Sequence, residues 1–136
     1  MNFKKLAIIV VLGMLGFFGV FRGGSLPPVF TAQSDSQAEV TVEVTPKKLG
    51  PGEEENIFEA KFTTHSIDLD FDFAQISVLT DDLGNNYQPL RWEGGRGGHH
   101  LTGQIVFPKI NSKAKKVTLT IRIDGEEKVF TWNLTQ

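Results

Sequence analysis

The chain has three histidines, and all of them fall in loops between apolar runs. His65 sits in Thr63-Thr64-His65-Ser66. His99-His100 closes the run Trp92-Glu93-Gly94-Gly95-Arg96-Gly97-Gly98. Imidazole is a ligand common to Cu²⁺, Zn²⁺ and Ni²⁺. A glycine-rich loop is costly to order and packs nothing of its own, so two imidazoles at its end make it a candidate for more than connection. If the two loops meet, His65, His99 and His100 form a three-histidine site for copper or zinc, to which Glu93 or Asp68 could add a carboxylate. Neighbours on an extended strand point to opposite faces, so a straight strand would bring only one of His99 and His100 to His65. A blue-copper centre is excluded. It needs a Cys, of which there are none, and usually an axial Met, and Met1 and Met14 are the only methionines.

Other polar groupings have simpler readings. Asp68, Asp70 and Asp72 alternate along an extended run, about 6.6 Å from one to the next, too far for all three to share one ion. They read as a charged, soluble strand face. Asp81, Asp82 and Asn85 are a better oxygen cluster for calcium, but they are also the residues that any turn takes. Glu53-Glu54-Glu55 reads as a solvated loop. Ser66 follows His65 in sequence, which does not bring its hydroxyl to the imidazole, and there is no G-x-S-x-G elbow. The glycines around Arg96 do not follow a strand and open a helix, so they are not a phosphate loop. Tyr87, Arg91 and Trp92 could line a surface for sugar or peptide, or belong to an ordinary amphipathic strand. With no nucleophile–base spacing in view, the expected work is binding and not catalysis.

The elements that must hold these residues are strands. After residue 38 apolar residues recur with period two. Val40, Val42 and Val44 alternate with Glu39, Thr41 and Glu43; Phe58, Ala60 and Phe62 with Glu59 and Lys61; Ile67, Leu69, Phe71 and Phe73 with the three aspartates. Further runs cover 76–79, 87–92, 101–107, 116–123 and 127–134. Residues 45–52 and 81–86 carry turn chemistry, and Asp124-Gly125 is a two-residue hairpin signal. Seven or eight short strands in about a hundred residues predict an all-β fold, an immunoglobulin-like antiparallel β-sandwich spanning residues 38–136. Phe58, Phe62, Phe71, Phe73, Phe107, Phe130 and Trp132 are its expected core.

The N-terminus reads as an address. Lys4 and Lys5 precede an unbroken run of apolar residues and glycine, 6–21, followed by Arg22. Sixteen helical residues span about 24 Å, a little short of the hydrocarbon core. Residues 1–24 are thus a signal anchor or signal peptide, and an anchor is favoured because no small-residue cleavage site follows. Residues 25–37 read as a flexible linker. The positive N-terminus predicts a single-pass protein in the cytoplasmic membrane through residues 6–21, with its C-terminal domain extracytoplasmic, or a secreted domain if the segment is cleaved. Residues 25–136 carry 11 Lys and Arg against 16 Asp and Glu, −5 overall, which argues against nucleic acid as a partner. An unknown protein or small ligand is expected instead.

Pro46 to Glu54 with its Gly-Pro-Gly, Ser77-Val78-Leu79-Thr80-Asp81-Asp82-x-Gly84-x-x-Tyr87 and Gly103-x-Ile105-Val106-Phe107-Pro108 carry a resemblance. Over residues 38–134 the chain resembles bacterial membrane-anchored or lipoprotein immunoglobulin-like domains of unknown function. It departs from the lipidated members in having no Cys after the apolar run. The resemblance implies an extracytoplasmic interaction or sensing module and transfers no catalytic residue.

Overall fold

A computed structural model describes residues 29–135. The expected anchor or signal peptide, residues 1–24, lies outside them. Among the described residues no helix is long and apolar enough to cross a membrane.

Among the described residues nine strands form two antiparallel sheets. The first sheet has the order β1-β2-β3-β7-β6, with β1 at Gln33–Asp35, β2 at Val40–Lys48, β3 at Asn56–Thr64, β7 at His100–Phe107 and β6 at Arg91–Gly94. The second has the order β5-β4-β8-β9, with β5 at Asn86–Tyr87, β4 at Ser77–Asp81, β8 at Lys116–Ile123 and β9 at Glu126–Asn133. Period-two patterning explains both sheets. One side of each long strand is buried and the other is not, as along β3 and β8. The buried sides meet in one core containing Val42, Phe58, Phe62, Phe107, Leu119 and Phe130. Phe58 packs edge-on against Phe107, with ring centroids 5.8 Å apart, and at 5.3 Å from Trp132. Of the expected core aromatics, only Phe71 is half-buried rather than buried.

Turn chemistry falls where the residues placed it. Asp124 and Gly125 both have positive φ, 51° and 86°, as a two-residue hairpin with the sheet's own twist requires, and Ile123 pairs with Glu126 across it. Asn56, fully buried, ties two loops to β3. Its side chain accepts from the Gly50 NH at 2.8 Å and donates to the Pro108 carbonyl at 3.1 Å.

Two expectations fail. Part of the expected linker, residues 25–37, is structured. β1 pairs with β2, and the Gln33 amide both donates to the Thr131 carbonyl (2.6 Å) and accepts from the Thr131 NH (3.3 Å). One side chain thus imitates a neighbouring strand on β9. Second, Ile67 to Phe73 alternates but is no strand. It is an extended crossover between sheets, sending Leu69 and Phe73 into the core. Asp72 turns it toward β4 by accepting from the Ala74 NH at 3.0 Å. Alternation records which side of a chain is buried; it does not require a ladder partner.

Candidate functional site

The crossover and the glycine loop meet at one pole of the molecule. The Leu69 NH donates to the Gly98 carbonyl (2.9 Å), and the Gly97 NH donates to the Leu69 carbonyl (2.8 Å). Asp68 accepts from the Gly98 NH at 2.6 Å, and Asp70 pairs with Arg96 at 3.1 Å. The aspartate run is therefore not a bare charged face: two of its members clamp the loop. Gly97 and Gly98 both have positive φ, 90° and 82°, the conformation in which their NH and carbonyl groups reach the crossover.

The glycines also have a packing purpose, contrary to expectation. The Trp92 indole lies over Gly94 and Gly103, which face each other across β6 and β7. A Cβ at Gly94 would stand 2.7 Å from Trp92 Cε2, and one at Gly103 would stand 2.6 Å from Trp92 Cζ2. The ring is half-buried, 4.9 Å from Phe73 and 6.0 Å from Phe62, and its NH donates to the Gly95 carbonyl at 2.9 Å. Trp92 is thus a packing residue whose bulk sets the small residues around it. Arg91 is held between Glu55 (3.0 Å) and Glu93 (2.5 Å) on the surface.

The histidines occupy the same pole. The Thr64 NH donates to the His99 carbonyl at 3.0 Å, and Thr63 pairs with His100, so the chain brings residue 65 beside residues 99 and 100. All three side chains are exposed. Inward positions of β7 are Leu101, Gly103 and Ile105, opposite Phe62, Ala60 and Phe58. His100 is therefore on the outer face with Thr63, while His99 lies in the bend that precedes the strand. Among the described residues, no three His, Asp or Glu side chains come together as a set able to hold a metal ion. Ser66 offers no nucleophile to His65, because its hydroxyl donates to Glu39 at 2.6 Å.

The Asp81–Asn85 turn spends its oxygens on the protein. Asp81 accepts from the Leu83 NH, the Asn85 NH, the Asn85 amide (each 2.9 Å) and the Tyr87 hydroxyl (2.8 Å). Tyr87 in turn accepts from the Asn111 NH at 2.8 Å. Burial opposes ionisation of Asp81, but these donors outweigh it and hold the carboxyl below its ordinary value. Asp82 accepts from the NH groups of Lys115 (2.8 Å) and Lys116 (3.2 Å). Asp81→Asn keeps an acceptor for the turn but cannot serve the amide and the phenol together, and should cost about 2 kcal/mol in urea unfolding. Millimolar Ca²⁺ should leave the wild-type unfolding midpoint unmoved; a rise in calcium would show an ion site in place of this knot.

The residue that sequence reasoning missed is Lys128. It occupies an inward position of β9, in line with Phe130 and Trp132, and is 2% exposed. Its ammonium pairs with Asp35 Oδ1 at 3.2 Å and donates to the Gln37 carbonyl. It borders a small cavity of about 70 Å³ that Glu39, Ile67, Ile123, Asp124 and Glu126 also line. The signal was present in the period: Lys128, Phe130 and Trp132 share one parity.

No protein-family model matches the chain, and no curated protein or solved structure matches it either.

Proposed function

We propose that the chain is an extracytoplasmic binding module, tethered to the cytoplasmic membrane by residues 6–21 and built on an immunoglobulin-like sandwich. The strand orders support the fold assignment. β2-β3-β7-β6 follows the A-B-E-D order of such domains, and β5-β4-β8-β9 follows C′-C-F-G. The observation that carries the binding role is the clamped pole. Asp68, Leu69 and Asp70 hold residues 96–98, while Arg96, His65, His99 and His100 remain exposed. A loop ordered in advance loses little entropy on meeting a ligand, which is what a recognition surface needs.

The chain has no cysteine, so its placement is open to clean labelling. Ser112→Cys in intact spheroplasts should react with a membrane-impermeant maleimide; reaction only after lysis would put the domain inside and end this reading. A photoreactive residue at position 96 should then give a discrete adduct that Asp68→Ala weakens. An adduct insensitive to Asp68, or none, would remove the pole as the binding surface.

A second reading, copper or zinc at this pole, rests on the Thr64–His99 hydrogen bond that gathers the three histidine positions. It requires side chains to reorient on binding. Titration of the full chain with Cu²⁺ and Zn²⁺, beside a variant with alanine at 65, 99 and 100, decides it. Stoichiometric binding lost in the variant supports a metal site; equal heats in both sink it.

A further inference from the structure

The outer faces of the two sheets differ in charge. On the first sheet Glu43, Glu59, Lys61, Arg91 and Glu93 point outward, and Lys61–Glu43 and Arg91–Glu93 pair across the surface. On the second, two rows in register cross the middle of the outer face: Thr80, Thr118 and Thr131, then Val78, Thr120 and Val129. None of the six is charged. Their hydroxyls are partly spent within the sheet. Thr80 Oγ1 donates to the Thr118 carbonyl at 3.4 Å, and the Thr118 and Thr131 hydroxyls meet at 3.1 Å. A threonine whose hydroxyl turns to its neighbours presents its methyl to solvent. Val129, 52% exposed, adds an isopropyl group. The centre of this face is therefore neutral and more apolar than its composition implies.

The ends of the same face are charged, with opposite signs. At the start of β8 stand Lys113, Lys115 and Lys116, all exposed, beside Asp82. At the β8–β9 hairpin stand Asp124, Glu126 and Glu127, also exposed, with Arg122 paired to Glu127 at 2.8 Å. One end has excess lysine and the other excess acid.

We infer that this face is the contact surface for a second copy of the same chain, in a two-fold arrangement that lays β8 over β8 in opposite directions. That symmetry sets the lysine end of each copy against the acidic end of the other, and it does so twice. It also places neutral rows against neutral rows, which lets chains whose residues 25–136 carry a net −5 approach without like-charge contact. A tether that holds the copies on one membrane raises their effective concentration, so the pair forms most readily there. The pairing is separate from the pole at residues 65–100.

The test uses the full chain in the membranes of the expressing cell. Thr120→Cys, treated with a short bismaleimide, should cross-link to a band of twice the chain mass; Glu59→Cys, on the opposite sheet, should not. Lys113→Glu/Lys115→Glu/Lys116→Glu, added to Thr120→Cys, should lower that band about tenfold or more, and so should Asp124→Lys/Glu126→Lys/Glu127→Lys. Co-expression of the two reversed chains should restore it, which also shows that each reversed chain folds. A dimer band no stronger than that of Glu59→Cys overturns the inference. So does one indifferent to charge reversal, and so does a cross-link to a band of unrelated mass, which would give the face to a different protein.

Discussion

Replacing Gly103 by alanine should lower the unfolding midpoint of the domain by more than about 10 °C, a loss of about 3 kcal/mol. The added carbon would stand 2.6 Å from Trp92 Cζ2 and 2.7 Å from the Glu93 carbonyl oxygen. One neighbour is a ring wedged against Phe62 and Phe73; the other is backbone. Neither can give way as the end of a flexible side chain would. Gly103 is buried in β7, so the misfit cannot vent to solvent. The indole supplies one of the two close contacts and the Glu93 carbonyl the other. Trp92→Leu should be destabilising by itself, yet in that background Gly103→Ala should cost less, because only the backbone contact remains. A double-mutant cycle by thermal unfolding measures the coupling. Additive losses would show that Gly103 is needed for its backbone and not for the space above it.

That wedge shows how far the sequence could be read. The strands were legible because burial on one side leaves a period of two, and Asp124-Gly125 was legible because few dipeptides accept positive φ at both positions. The glycine loop was misread. Nothing local in Trp92-Glu93-Gly94-Gly95 says that an indole will fold back over Gly94, or that Gly103, on the next strand, completes its seat. The relation spans two strands, and only their register creates it. The crossover misled for a related reason. Leu69 and Phe73 alternate with polar residues because one side of the segment meets the core, while the other meets the glycine loop and solvent. A sheet neighbour would leave the same pattern.

The histidine pole was legible as a set of residues and not as an arrangement. The sequence left open whether the two histidine loops share one end of the fold; the pairing of Thr63 with His100 puts residue 65 and residues 99–100 on neighbouring stretches of chain. Whether adjacent imidazoles converge depends on where the strand begins: His100 opens β7 on its outer face, and His99 belongs to the bend before it. Asp68 and Asp70 changed role altogether, from solvated charges to clamps, because their partners are a backbone NH and Arg96 about thirty residues away.

Lys128 was the hardest to see, since its partner lies in a stretch that reads as linker. Its removal and its partner's removal should have opposite consequences. Asp35→Ala should cost about 2–3 kcal/mol, because it leaves an ammonium 2% exposed with little more than the Gln37 carbonyl. Asp35 itself is partly open to water, which keeps the loss at the lower end of the range for breaking a buried pair. Lys128→Met removes the charge and keeps the bulk beside Phe130, and should fall within about 1 kcal/mol of wild type or stabilise. Acid should reveal the same pair. The Gln37 NH, and then Lys128, hold the Asp35 carboxyl below its ordinary value of 3.8. A carboxyl depressed on folding stabilises fully above its unfolded value, and the contribution is lost as pH falls through the folded one. Wild type should therefore lose stability below about pH 4. Asp81 and Asp82 are depressed too and share that window, so the informative quantity is wild type minus Asp35→Ala. That difference should shrink toward acid in urea titrations. If Lys128→Met proves as damaging as Asp35→Ala, or the difference stays flat with pH, the ammonium is a stabilising group in its own right and β1 is held by something other than this pair.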